Sequence, residues 1–89
     1  MPRMIITHAV ADVDTWLSFK DERAGAISGM GASDVRDHVA PDGSKAVAVS
    51  CSTDDVAGML ATLENPPAEL GAAMQRHGVV PPLAVYVEG

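Results

Sequence analysis

The segment Ser33-Asp34-Val35-Arg36-Asp37-His38-Val39-Ala40-Pro41-Asp42-Gly43-Ser44-Lys45-Ala46-Val47-Ala48-Val49-Ser50-Cys51 reads as two strands and the turn joining them. From Ser33 to Ala40, Val35, Asp37 and Val39 fall on one side and Asp34, Arg36 and His38 on the other, as in a half-buried strand. Pro41-Asp42-Gly43-Ser44 supplies the turn, because proline presets φ and glycine accepts the positive φ that other residues avoid. From Lys45 to Cys51 the alternation resumes, with Val47, Val49 and Cys51 opposite Ala46, Ala48 and Ser50. A central hairpin with a helical pattern on each side is the layout of a split βαβ fold.

Upstream, Met4 to Val10 is a short apolar run with β-branched residues and reads as a strand. Asp12 is placed to cap a helix, with Asp14 in its first turn, where the helix dipole favours an acid. Val13, Trp16, Leu17, Lys20, Ala24 and Ile27 recur at helical spacing, and Gly29 and Gly31 end the run, so one helix is expected over 13–28. Downstream, Ser52 and Thr53 are candidate caps, with Asp54 and Asp55 opening a helix that carries Val56, Met59, Leu60 and Leu63 on one face. Asn65-Pro66-Pro67 stops that helix. A second piece follows, with Leu70, Ala73, Met74 and His77 in line and Gly78 just past its end. Val79 to Val87 closes the chain as a strand whose Pro81-Pro82 pair suits only an edge or a bulge. The order β-α-β-β-α-α-β predicts one α+β, ferredoxin-like domain over residues 1–89: a four-stranded antiparallel sheet with helices on one face.

Composition narrows the partners. Six Lys and Arg against twelve Asp and Glu give a formal charge of −6, and no basic run occurs, which argues against nucleic acid or an anionic membrane as the partner. A single cysteine, Cys51, excludes an internal disulfide and Cys-based zinc sites, and the N-terminal apolar run breaks at His8, short of a signal sequence; a cytoplasmic location is expected. His8, His38 and His77 are too widely spaced for a local metal motif, so neither metal nor cofactor is expected. A chain of 89 residues buries only about 60–65% of its unfolded surface, which makes folding alone marginal. Ala46, Ala48 and Ser50, together with Ala84, Tyr86 and either set of first-strand residues, read as a charge-free second sheet face. A homodimer packed through that helix-free face is therefore expected.

Ala11-Asp12-Val13-Asp14-Thr15-Trp16, opening a helix directly after the first strand, resembles the helix start common in the small dimeric α/β-barrel proteins. Pro66-Pro67-Ala68-Glu69-Leu70, running through Met74 to His77-Gly78-Val79, is similar to their second-helix break and exit into the last strand. The resemblance covers almost the whole chain and implies a dimeric α/β barrel related to the antibiotic-biosynthesis monooxygenase-like proteins. That superfamily includes cofactor-free monooxygenases, polyketide cyclases, haem-degrading enzymes and stress proteins, so the fold leaves the chemistry open. For the haem-degrading branch the resemblance is thin: His8 stands where an Asn is expected, Trp16 lies on the first helix, and only His77 matches a ligand.

Six residues are candidates for a site. His8 interrupts an apolar strand and could act as an acid or base near neutral pH, although a histidine bonded to a backbone carbonyl explains it too. Lys20 sits in the apolar stripe of the first helix, where it either snorkels or points inward to hold a substrate oxyanion. Arg23 flanks that stripe beside Trp16; Trp16 and Met59 offer apolar contact, and His77 closes the stripe of the last helix. With the resemblance, these residues suggest a homodimeric small-molecule-binding protein, with a cofactor-free monooxygenase or cyclase acting on a polyketide-like or phenolic ligand as the activity the resemblance implies. In it His8 would abstract a proton and Lys20 would steady the enolate or phenolate. A non-catalytic ligand-binding or stress-associated dimer is the alternative, and a haem-binding or haem-degrading protein a lesser one.

Overall fold

The computed structural model describes residues 2–89. Its elements are β1 (Arg3–Val10), α1 (Val13–Ser18), α2 (Lys20–Gly29), β2 (Ala32–Val39), β3 (Ala46–Thr53), α3 (Val56–Glu64), α4 (Ala68–Arg76) and β4 (Val79–Val87). The strands form one antiparallel sheet in the order β2-β3-β1-β4. The helices cover one face. Met4 and Val10 from β1 and Val47, Val49 and Cys51 from β3 meet Trp16, Ile27 and Met59 in the core. This is the ferredoxin-like α+β arrangement that the order of elements predicts.

The single helix expected over 13–28 is two helices, broken at Phe19. The cause lies at the Trp16 carbonyl. It accepts from the Phe19 N–H at 3.2 Å and from the Arg23 guanidinium at 2.9 Å, and a side chain inserted into the helical ladder kinks it. The start of α3 also shifts. β3 runs on to Thr53, and the cap is Asp55, whose carboxylate accepts from the Gly58 N–H at 3.0 Å.

Two register irregularities decide which residues share a face. Thr7 pairs with Ala84 but Ala9 pairs with Val80, so the Pro81-Pro82 pair falls in a bulge on the edge strand β4. Ser33 pairs with Ser52 but Arg36 pairs with Ser50, an extra residue on β2 accommodated by Asp34 at φ 52. Arg36 and His38 thus stand beside Ser50 and Ala48 on the helix-free face. That face is not free of charge, as the composition of the strands had suggested. At one end Arg3 bonds Asp34, Ser50 and Ser52, and Arg36 bonds Asp34. The remainder is apolar, with Ile5 opposite Tyr86 and Thr7 flanked by Ala48 and Ala84; Ile5 and Tyr86 are 41% and 61% exposed. Among the described residues no helix is long and apolar enough to cross a membrane.

Candidate functional site

Between the helices and the sheet lies a cavity of about 70 Å³. Ile6, Ile27, Met30, Met59, Leu70 and Met74 give it apolar walls, and four polar side chains complete its lining: His8, Trp16, Arg23 and His77. Trp16, Met59, Arg23 and His77 are all buried, at 0%, 1%, 7% and 4% exposure.

Each polar group has a readable protonation state. The His8 Nδ1 lies 2.8 Å from the Ala9 carbonyl, which can only accept, so Nδ1 carries the proton and Nε2 keeps its lone pair. Burial lowers the His8 pKa from its ordinary 6.5; the Ala9 bond opposes that shift and the Arg23 charge adds to it. His8 is therefore a neutral base at pH 7, its ring edge-on to Trp16 with centroids 6.0 Å apart. The Trp16 indole N–H is fully buried without a hydrogen-bond partner, an N–H that an acceptor on a ligand could satisfy.

Arg23 is the cation of the cavity. Its Nε donates to Asp37 Oδ1 at 3.2 Å, Nη2 to Asp37 Oδ2 at 2.6 Å and to the Trp16 carbonyl at 2.9 Å, and Nη1 lies 3.2 Å from His77 Nδ1. The guanidinium also lies over the Trp16 ring, 3.9 Å from its centroid. His77 stacks on Phe19 at 4.5 Å, and its Nε2 faces Glu22 at 3.6 Å, outside hydrogen-bond range. Glu22 bonds Arg76, so α2 and α4 are joined across the outside of the cavity.

Five of the six sequence candidates, His8, Trp16, Arg23, Met59 and His77, meet at this cavity. Lys20 does not. It is exposed and absent from the lining, as the first residue of α2, while Arg23 and Ile27 one and two turns on are buried. The inward cation is Arg23, expected on the flank. Asp37 was missed as a site residue, although the alternation of β2 had set it on the apolar side. Haem ligation does not fit His77, because both of its nitrogens face protein groups, Arg23 at Nδ1 and Glu22 at Nε2.

Two histidines with lowered pKa values, His77 buried and His8 half-buried, make stability depend on pH. Burial is the main cause at His77 too, with Arg23 adding to it and Glu22 opposing. Unfolding lets both rings take protons near the ordinary 6.5, so the unfolded chain binds more protons just below that pH. Their contribution is complete above pH 6.5 and is lost as pH falls below it. The lowered carboxylates Asp12, Glu22 and Asp42 weaken the fold only at more acid pH, below 3.8–4.5. Urea unfolding followed by circular dichroism should show stability dropping between pH 7 and 5.5, less steeply in His77→Gln; a flat profile over that range contradicts the assignment.

Neither a family model nor a curated protein matches the sequence. The structure resembles several solved ones over its full length. An antibiotic biosynthesis monooxygenase superposes with a TM-score of 0.67 at 10% identity, over 100% of this chain and 97% of that one. A candidate antibiotic biosynthesis monooxygenase of Bordetella bronchiseptica gives 0.67 at 14% identity, over 99% and 94%. One from Deinococcus radiodurans gives 0.60 at 14%, over 100% and 93%. At such identities the likeness shows the fold, and that fold is the one found in antibiotic biosynthesis monooxygenase-like proteins.

Proposed function

We propose that this chain is a homodimeric small-molecule-binding protein whose cavity takes a largely apolar ligand of the phenolic or polyketide-like kind, and that it acts on it as a cofactor-free oxygenase. One observation carries the reading: an apolar cavity is lined by His8, whose Nδ1 is turned to the Ala9 carbonyl so that Nε2 keeps its lone pair, and by Trp16, whose buried indole N–H has no partner. A ligand oxygen accepts from the indole, and His8 Nε2 removes the proton of an acidic hydroxyl or of a methylene activated by a neighbouring ketone. Arg23 adds positive potential for the anion that forms. The carbanion form of that ligand adds dioxygen, and the hydroperoxide loses water. A CH2 group and O2 become a C=O group and H2O, with the ligand itself as the reductant.

The cavity is about 70 Å³, so a ligand of aromatic size needs α2 and α4 to part. The Glu22–Arg76 bridge and the Phe19–His77 stack are the contacts that separation breaks. The four-stranded sheet supports the dimer: its helix-free face leaves Ile5, Tyr86, Ala48 and Ala84 for a second copy. Binding without turnover is the second reading, favoured by the outward Lys20, which leaves His8 without a paired acid in the cavity.

A thermal-shift screen against phenols, anthrones and quinols, followed by oxygen uptake with each binder, tests both. Oxygenation predicts uptake that His8→Gln reduces by about 10²- to 10⁴-fold while affinity changes little. Binding alone predicts a thermal shift without uptake. No shift with any aromatic ligand defeats both.

A further inference from the structure

Arg23 has five N–H groups, and four of them are spoken for by Asp37, the Trp16 carbonyl and His77. Stacking on Trp16 fixes the plane of the guanidinium but leaves it free to turn within that plane. The two-pronged contact with Asp37 removes that freedom. Both partners are nearly dry, with side chains 8% and 3% exposed. Asp37 faces inward because its register partner is Val49, a core residue of β3. An acid on the apolar side of an edge strand has no packing role that a valine would not fill better. The guanidinium, in turn, can only donate, so His77 Nδ1 must accept and the His77 proton must sit on Nε2.

We infer that Asp37 is a positioning residue: its carboxylate locks the orientation of Arg23, and through Arg23 it fixes which nitrogen of His77 carries the proton. The charged groups facing His77 are Arg23 and Glu22 on α2 and Arg76 on α4. Remove the Asp37 carboxylate and Arg23 is free to turn and let go of Nδ1. The inference deepens the reading of the cavity proposed above, but it concerns the protein without a ligand, so a cavity that binds nothing leaves its test intact.

The test is long-range ¹H–¹⁵N NMR of the histidine rings of labelled, ligand-free protein across pH 5–8. In the wild type His77 is expected as a single tautomer with the proton on Nε2. In Asp37→Asn the His77 nitrogens should move towards a mixture of tautomers. Asp37→Glu keeps the charge and should restore the single tautomer. A wild-type His77 protonated on Nδ1 overturns the inference outright, whether or not any variant folds. So does a folded Asp37→Asn protein in which His77 keeps one tautomer. If Asp37→Asn does not fold, the tautomers of the wild type and of Asp37→Glu decide it: Nε2–H in both supports it, and Nδ1–H in either overturns it.

Discussion

Asp37→Ala is expected to lower the unfolding free energy by about 3–5 kcal/mol, because it strands a buried guanidinium without its counter-charge. Asparagine at that position can still accept one of the Arg23 bonds; alanine accepts none. At 89 residues the whole domain holds roughly 4–13 kcal/mol, so the loss brings it close to unfolding at room temperature. In thermal scans the drop corresponds to about 12 °C or more. Removing both partners is a different experiment. Arg23→Met with Asp37→Leu replaces two desolvated charges with apolar groups and should recover most of the loss. Trp16 gives up its cation stacking in that double variant but keeps its core contacts. A single-variant loss below about 1 kcal/mol would mean that the freed guanidinium reaches water, and the buried pair would lose its standing as the anchor of α2 on the sheet.

Why that pair escaped a reading of the sequence is instructive. The alternation of β2 placed Asp37 with Val35 and Val39, on the side that proves to be the core side. Helical spacing placed Arg23 beside Trp16. Each half was legible by itself. What joins them is the packing of α2 on the sheet, where the Arg23 guanidinium bonds both Asp37 and the Trp16 carbonyl. A period of 3.6 puts Arg23, seven residues after Trp16, on the face of Trp16 itself, so the inward cation was legible there. Lys20 shares that stripe but is exposed at the first residue of α2. The order of strands and helices did not depend on such a detail. The hairpin turn at Pro41-Asp42-Gly43-Ser44, the helix stop at Asn65-Pro66-Pro67 and the exit at Gly78, which adopts φ 77, are local signals acting within a few residues.

The helix-free face shows the same limit in another form. Small residues at Ala46, Ala48 and Ala84 announced a face short of bulk, as found. The charges at its end come from the bulge at Asp34, which brings Arg36 and His38 into line with Ser50 and Ala48. Those charges are partly offset within the chain, since Asp34 receives both Arg3 and Arg36, which leaves one positive charge over. A partly offset cluster at the end of the face costs a covering partner less than lone charges would, so the polar end does not forbid a dimer.

Ala48→Asp puts that dimer to its hardest test. Ala48 lies on the central strand β3, opposite Thr7 on one side and His38 on the other, with Ala46 and Ser50 along the same face. In a two-fold sheet-to-sheet contact the substitution buries one new carboxylate from each copy, and symmetry brings the two near each other. The expected penalty is about 3 kcal/mol or more, at least a hundredfold in the dissociation constant. Sedimentation at micromolar concentration should give a dimer for the wild type and a monomer for the variant. The wild-type melting temperature should rise with protein concentration and that of the variant should not. A wild type that sediments as a monomer removes the dimer, and with it the relief expected for so short a chain. Loss of function is not the expected companion. His8, Trp16, Arg23 and His77 line a cavity on the helix side of one chain's own sheet, so a folded monomeric variant should bind the same aromatic ligands as the wild type. If binding vanishes with the dimer while the monomer stays folded, the second copy acts on the cavity through the sheet, and a site built by one chain alone is ruled out.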